Sequence, residues 1–268
     1  MKLTILIDNN TFIDQYYLGE PALAFLIEEG DRKLLFDTGY SDAFIKNAAL
    51  MGIDLNEVDT VVISHGHVDH TGGLEAFAES FGKGRPLYAR SDAFLPKRAG
   101  ELNSGSPLNK DELAELYELR LGKEPVYISE KLLFLGAVPR HFDFEAPVMT
   151  GEVCTEAGYV PDYDLDDSAL AYIGEEGLFI ITGCSHAGIC NIIDYARKLT
   201  GIEKVVGVAG GFHLFKRDER LAATIEYLKG LEIETLAPCH CVSLAARCDM
   251  MAAMNILETG TGMVLTCQ

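Results

Sequence analysis

The chain has 268 residues, 41 acidic against 22 basic side chains, and a formal net charge of −19 at pH 7. That balance gives a surface that repels phosphate backbones and anionic lipid heads, which argues against nucleic acid and membrane partners. No apolar run is long enough to span a bilayer, residues 1–8 are too short a stretch for a secretion signal, and seven cysteines without framework spacing fit a reducing compartment, so a cytoplasmic protein is expected. No Pro/Ser-rich linker, block of like charge or repeat of solenoid period appears, and a single domain over residues 1–268 is expected.

From the N-terminus, residues 3–7, 22–27 and 33–36 read as strands, the last closing on the Asp37-Thr38-Gly39 turn. Residues 41–51 place Phe44, Ile45, Ala48 and Ala49 at helical spacing behind Ser41 as the expected N-cap. The run 58–63 is continuously apolar and rich in β-branched residues, which predicts a strand buried on both faces. At its end stands Ser64-His65-Gly66-His67-Val68-Asp69-His70. His65 and His67, at i and i+2, share one side of an extended strand end, while Asp69 and His70 enter from the first turn of a following helix. Neutral imidazole and carboxylate bind first-row divalent cations at about 2.0 to 2.2 Å, so this island has the pattern of a metal site, and two ions are addressable from one loop.

Residues 87–89 predict another strand, and the stretch 91–147 is less regular. It contains Asn103-Ser104-Gly105-Ser106-Pro107, an amphipathic helix over about 110–121 with Leu113, Leu116 and Leu119 near one face, and Val138-Pro139-Arg140-His141-Phe142-Asp143-Phe144-Glu145. This stretch reads as an inserted, cap-like segment that either covers the site or supplies a dimer contact. Arg140, Lys97 and Arg98 are candidates to receive a phosphate or carboxylate, although Arg140 can equally pair with Glu145 or Asp143. Tyr88, Phe94, Phe142 and Phe144 are either core aromatics or a stack for a flat ring.

Residues 169–173 and 178–182 form a predicted strand pair joined by Glu175-Glu176-Gly177, followed by Gly183-Cys184-Ser185-His186-Ala187-Gly188 and a helix over 192–199. Strand 205–209 then delivers Gly210-Gly211-Phe212-His213, and strand 235–238 delivers His240. Strand ends that finish in histidine along one edge of a sheet occupy the place where α/β architectures put their sites. Cys239 and Cys241 flank His240; if that segment is extended, alternation points both sulfurs away from the imidazole, which favours core packing over ligation.

On these residues the chain resembles the metallo-β-lactamase superfamily. Asp37 in Phe-Asp-Thr-Gly, the H-x-H-x-D-H island, His186 and His240 come in that family's order over nearly the whole chain. Gly-Cys-Ser-His-Ala-Gly, Gly-Gly-Phe-His-Leu, Pro-Cys-His-Cys and Val-Pro-Arg-His-Phe-Asp-Phe-Glu further resemble a branch of metal-dependent hydrolases and pterin–aminobenzene synthases. The resemblance implies an α/β fold, a four-layer αββα sandwich, with a dinuclear metal site along the edge of two facing sheets. It implies that His65, His67 and His186 hold one cation and Asp69, His70 and His240 a second, with Asp37 behind them as an orienting carboxylate. The family usually places a bridging aspartate where this chain reads Ala209-Gly210-Gly211-Phe212-His213. Either a water bridges alone, His213 ligates, or the second ion is held weakly; His213 is alternatively a hydrogen-bond donor to a substrate oxygen.

The resemblance therefore implies one or two divalent metals, Zn²⁺ foremost with Fe or Mn as alternatives, and Asp69, His213 and Asp37 as the residues serving catalysis. Members that run redox chemistry on two irons generally carry a carboxylate where this chain has His67, which favours hydrolysis. The leading expectation is a metal-dependent hydrolase that uses a metal-bound hydroxide on a small anionic ester or phosphoester. With Asp69 the only anionic ligand, the ion pair stays strongly positive and attracts such a substrate despite the acidic surface. Two alternatives stand beside it: carbon–nitrogen bond formation between a pterin and an aminobenzene compound, and metal binding without turnover.

Overall fold

The structure, a computed structural model, describes residues 1–268. In chain order its elements are β1 (Lys2–Ile7), β2 (Ala24–Glu29), β3 (Arg32–Phe36), α1 (Ala43–Leu50), β4 (Thr60–Val62), α2 (Val68–Thr71), α3 (Leu74–Phe81), β5 (Arg85–Arg90), β6 (Lys97–Ala99), β7 (Leu102–Asn103), α4 (Lys110–Leu116) and β8 (Tyr117–Gly122). There follow β9 (Val126–Tyr127), β10 (Leu132–Phe134), β11 (Gly151–Thr155), β12 (Gly158–Asp162), β13 (Ala169–Ile173), β14 (Leu178–Thr182), α5 (Ile189–Thr200), β15 (Val205–Gly210), α6 (Glu219–Gly230), β16 (Thr235–Pro238), α7 (Leu244–Ala253) and β17 (Val264–Thr266). Two compact units result. One comprises Met1–Lys123, Met149–Asp166 and Gly260–Thr266, and the other Glu124–Val148, Asp167–Thr259 and Cys267–Gln268. No helix is long and apolar enough to cross a membrane.

The first unit is built on a seven-stranded sheet, ordered β17-β1-β2-β3-β4-β5-β8. It is antiparallel from β17 to β3 and parallel from β3 to β8. Phe44, Ala48, Leu74, Phe77, Leu113 and Leu116 from α1, α3 and α4 bury against Leu26, Leu35, Val61, Ile63 and Leu87 of the sheet. Each such side chain removed from water contributes about 1.5 to 3 kcal/mol. A four-stranded antiparallel sheet, β12-β11-β6-β7, completes this unit.

The helix predicted over 110–121 ends at Leu116, and its second half is strand β8. The leucine spacing that suggested a longer helix hides a period-2 pattern in which Tyr117, Leu119 and Leu121 face inward while Glu118 and Arg120 are exposed. Pairing with β5 along the whole strand, and a 2.6 Å hydrogen bond from the Tyr117 hydroxyl to the Leu74 carbonyl, outweigh helical propensity. The stretch 91–147 is thus woven into all three sheets, through β6 and β7, through β8, and through β9 and β10.

The second unit carries a six-stranded sheet, β16-β15-β14-β13-β10-β9, antiparallel from β9 to β14 and parallel from β14 to β16. Ile189, Ile192, Ile193, Leu221, Ile225, Leu228 and Met250 of its helices pack on Leu133, Ala171, Ile180, Val208 and Leu236. Helix α5 begins behind Gly188, which has no side chain to cap it. The buried Glu145 carboxylate supplies the cap from a distance, accepting hydrogen bonds from Cys190 N at 2.9 Å and Asn191 N at 2.8 Å. In both large sheets the parallel strands end on a common edge, and the histidine-bearing turns leave from there.

Replacing Glu145 with Ala leaves two buried amides of α5 without their acceptor. Urea unfolding of Glu145→Ala is expected to show a loss of about 2 to 4 kcal/mol. An unchanged midpoint would remove the cap from this account.

Candidate metal centre

In the first unit β4 ends at Val62, and the chain turns through Ser64 and His65 into the short helix α2. His65 and His70 are fully buried, His67 is half-buried, and the Asp69 side chain is 29% exposed. The Nε2 atom of His65 and the Nδ1 atom of His67 stand 3.1 Å apart. Nitrogens bound tetrahedrally at about 2.0 to 2.1 Å stand about 3.3 Å from each other, so this approach fits two donors to one ion. The Nε2 atom of His70 lies 3.6 Å from Asp69 Oδ2, a second convergent pair.

Asp37, fully buried at the end of β3, holds both pairs from behind. Its Oδ1 accepts Ser64 N at 2.7 Å, and its Oδ2 accepts the Ser64 hydroxyl at 2.7 Å and lies 2.6 Å from His70 Nδ1. With its hydroxyl proton given to Asp37, Ser64 Oγ is left to accept from His65 Nδ1, 2.9 Å away. The network thereby assigns a proton to Nδ1 of both His65 and His70 and leaves the Nε2 lone pairs for a cation. Burial lowers the pKa of His70, but the charges of Asp69 and Asp37 and the Asp37 hydrogen bond outweigh it and hold the ring above its ordinary value.

His67 is oriented by a different acid. Its Nε2 atom lies 3.0 Å from Asp164 Oδ1, which turns Nδ1 toward His65, and although burial lowers its pKa the Asp164 hydrogen bond and charge raise it overall. Asp164 also accepts the Thr150 hydroxyl at 2.7 Å. The neighbouring acid Asp166 accepts Gly66 N at 2.8 Å. Gly66 tolerates no side chain, since a Cβ there would lie 1.7 Å from the Ala93 carbonyl oxygen. Among these acids sits the Lys97 ammonium, 3.0 Å from Asp162, 3.2 Å from Asp164 and 2.6 Å from Asp166.

Lys97 was expected to receive a substrate anion; it is instead buried, and although burial lowers its pKa the three carboxylates raise it overall. Its ammonium already fills the place a metal would take between Asp162 and Asp164. Arg98 is likewise engaged, pairing with Glu152 at 2.8 Å and lying 3.8 Å over the Tyr159 ring.

In the second unit β14 leads into Cys184, Ser185 and His186, with the Ser185 hydroxyl donating to the Gly211 carbonyl at 2.6 Å and Ala187 N to Asp167 Oδ2 at 2.8 Å. The His186 and His213 rings lie with centroids 4.3 Å apart and planes inclined at 50°, and Phe215 meets His213 edge-on at 4.7 Å. His186 and His240 are each 7% exposed. Cys239 and Cys241 are buried, but so is His240, whose φ of 53° breaks the extended alternation that would set the sulfurs and the imidazole on opposite faces. Arg140 is half-buried just ahead of the turn Asp143–Glu145, where His141 N and Phe142 N both donate to the Asn191 side chain. Of seven non-glycine residues with positive φ, five are Asp37, Asp164, Ser185, His213 and His240. Backbone strain of this kind, of order 1 to 3 kcal/mol per residue, persists where surrounding contacts over-determine it and gathers at functional sites.

Buried imidazoles and carboxylates at the carboxyl ends of parallel strands, in the order found here, define a class: residues 18–197 match the sequence profile of the metallo-β-lactamase superfamily, and the chain belongs to it. It has the fold of those proteins, and its His/Asp groups are compatible with divalent metal binding. Over 261 residues, 92% of this chain and 89% of the relative, it is 31% identical to 7,8-dihydropterin-6-methyl-4-(β-D-ribofuranosyl)-aminobenzene-5'-phosphate synthase of Methanocaldococcus jannaschii. An uncharacterized protein of the same organism is 30% identical over 98% of this chain and 99% of its own. Among solved structures, Tm1679, a metal-dependent hydrolase of the β-lactamase superfamily, matches with a TM-score of 0.86 at 30% identity, covering 99% of this chain and 98% of the other. These names point to an enzyme.

The reading of the sequence missed Ser64, Asp162, Asp164, Asp166 and Asp167. Asp162, Asp164 and Asp166 alternate in the sequence, but β12 ends at Asp162 and Asp164 lies at φ 49°, so strand alternation does not account for their convergence on Lys97.

Two outcomes follow from this wiring. Asp37→Asn loses the shared Oδ2 acceptor of Ser64 and His70 and is expected to weaken zinc binding 10- to 100-fold with the circular dichroism spectrum unchanged. Because His67 and His70 must be neutral to ligate and both hold their protons above the ordinary histidine value, zinc affinity in a chelator competition should rise with pH through and above about 6.5. A pH-independent affinity would contradict ligation by these rings.

Proposed function

We propose that this chain is a cytoplasmic metal-dependent hydrolase acting on a small anionic ester or phosphoester. His65, His67 and His186 are assigned to one divalent cation and Asp69, His70 and His240 to a second, with zinc the first choice and iron or manganese behind it. The reading is carried by the 3.1 Å convergence of two ring nitrogens, each ring fixed from behind, His65 through Ser64 and Asp37 and His67 by Asp164. A cation so held acts as a Lewis acid and lowers the pKa of a coordinated water from 15.7 to about 7.

The chain's own share is positional. Asp37 engages Nδ1 of His70 directly and Nδ1 of His65 through Ser64, so that in the neutral rings Nε2 is the free donor, and the partly exposed Asp69 carboxylate offers the island's only negative charge. His213, in tilted contact with the His186 ring, is assigned as donor to a substrate oxygen that gains negative charge during reaction. Arg140 is the remaining basic candidate for the substrate's anionic group. Local charges, not the acidic surface, set the field such a substrate meets.

The 31% identity with the dihydropterin synthase over 92% of the chain supports a second reading, bond formation between a pterin and an aminobenzene ribosyl phosphate. Protein purified without chelator is expected to carry divalent metal by elemental analysis and to turn over a member of a panel of chromogenic phosphomonoesters, phosphodiesters and thioesters. His67→Ala should abolish that turnover with the fold intact. Bound metal with a silent panel, and condensation of a dihydropterin with an aminobenzene ribosyl phosphate, would replace hydrolysis by the second reading; a chain without metal would sink both.

A further inference from the structure

Where the family resemblance leads one to expect a bridging aspartate, β15 runs out into Gly210 and Gly211. Packing keeps that place free of side chains. A Cβ on Gly210, at φ 133°, would lie 2.2 Å from the Thr182 carbonyl oxygen. One on Gly211 would lie 2.5 Å from both the Cys241 sulfur and the Gly183 carbonyl oxygen, and 3.2 Å from Cys184 Cα. No carboxylate can be mounted there. Cys184, 3% exposed, passes this place with its backbone, its Cα 3.2 Å from the position a Gly211 Cβ would take, and its sulfur stands within 4.8 Å of a ring nitrogen of His240. The Cys241 sulfur has other partners, accepting from His213 N at 3.2 Å and donating to the Cys184 carbonyl at 3.4 Å.

We propose that Cys184 ligates, as a thiolate, the same cation as His240, and so supplies the anionic donor that Gly210 and Gly211 cannot. The inference rests on the dinuclear reading above. Its chemistry is an exchange: the thiol proton leaves to solvent as the sulfur–metal bond forms, with no change of oxidation state. A thiolate selects zinc, cobalt or iron over manganese or magnesium. It would also add an anion to the cation that His240 holds.

The full-length protein loaded with Co²⁺ is expected to show a thiolate-to-cobalt charge-transfer band in the near ultraviolet. That band should vanish in Cys184→Ser, with bound metal falling from two equivalents to one, and persist in Cys241→Ser. Should Cys184→Ser fail to fold, zinc-edge X-ray absorption of the unmodified protein decides, since it should contain a sulfur scatterer at about 2.3 Å. Two bound equivalents with neither band nor sulfur scatterer, or a band that survives Cys184→Ser, would overturn the ligation by Cys184 alone. Failure to take up any metal would overturn the dinuclear reading and this inference together.

Discussion

The Asp37 carboxylate binds Ser64 N, the Ser64 hydroxyl and His70 Nδ1, all within 2.7 Å, and the candidate centre depends on that one acid. It sits at φ 60°, a conformation that costs an aspartate free energy and that the three contacts hold in place. Through Ser64 it reaches His65, and directly it reaches His70, so one group fixes the protonated nitrogen on two rings of the island. A neutral asparagine of the same shape would keep the volume and lose that control. The backbone adds to the restraint: Asp37 N donates to Val62 O, and Thr38 N to His70 O, tying the turn to β4 and α2.

A chain of net charge −19 that buries further acids around its histidines needs an internal counterweight. Lys97 provides one. Its ammonium lies among Asp162, Asp164 and Asp166, and the last two in turn hold His67 and the Gly66 amide. A buried ion cluster of this kind gives little net stability, because desolvation offsets most of the Coulomb attraction. What it does give is geometry: the turn carrying His65 to His67 is anchored to charged groups whose positions are mutually fixed. Removal of Lys97 would leave three acids in low dielectric without their cation.

Much of this was legible in the sequence, and for stated reasons. The strands Ala169–Ile173, Leu178–Thr182 and Thr235–Pro238 were read with their observed bounds, because apolar runs there stop abruptly at turn-forming residues. The island histidines stand out by density, while Asp37 is marked only by the family resemblance, since its place at a strand end suits any turn-forming aspartate. What escaped depended on partners distant in sequence. Helix α5 starts three residues before its predicted beginning because Glu145, 44 positions upstream of Ile189, caps it. The N-cap position of α1 falls on Asp42, whose side chain makes no cap bond; the expected Ser41 does the capping from one residue further out, its hydroxyl accepting Ala43 N at 3.1 Å and donating to Glu20. The acids at 162, 164 and 166 look like a solvated run until β12 and Lys97 are seen to enclose them.

The path of the chain has a consequence for any attempt to dissect it. Each compact unit is assembled from separated stretches, so the polypeptide passes from one to the other five times between Lys123 and Cys267. Neither half can be excised as a contiguous fragment, expressed alone, or exchanged with a relative by a single recombination event. Truncation from either end removes strands from a sheet whose other members lie far away in the gene.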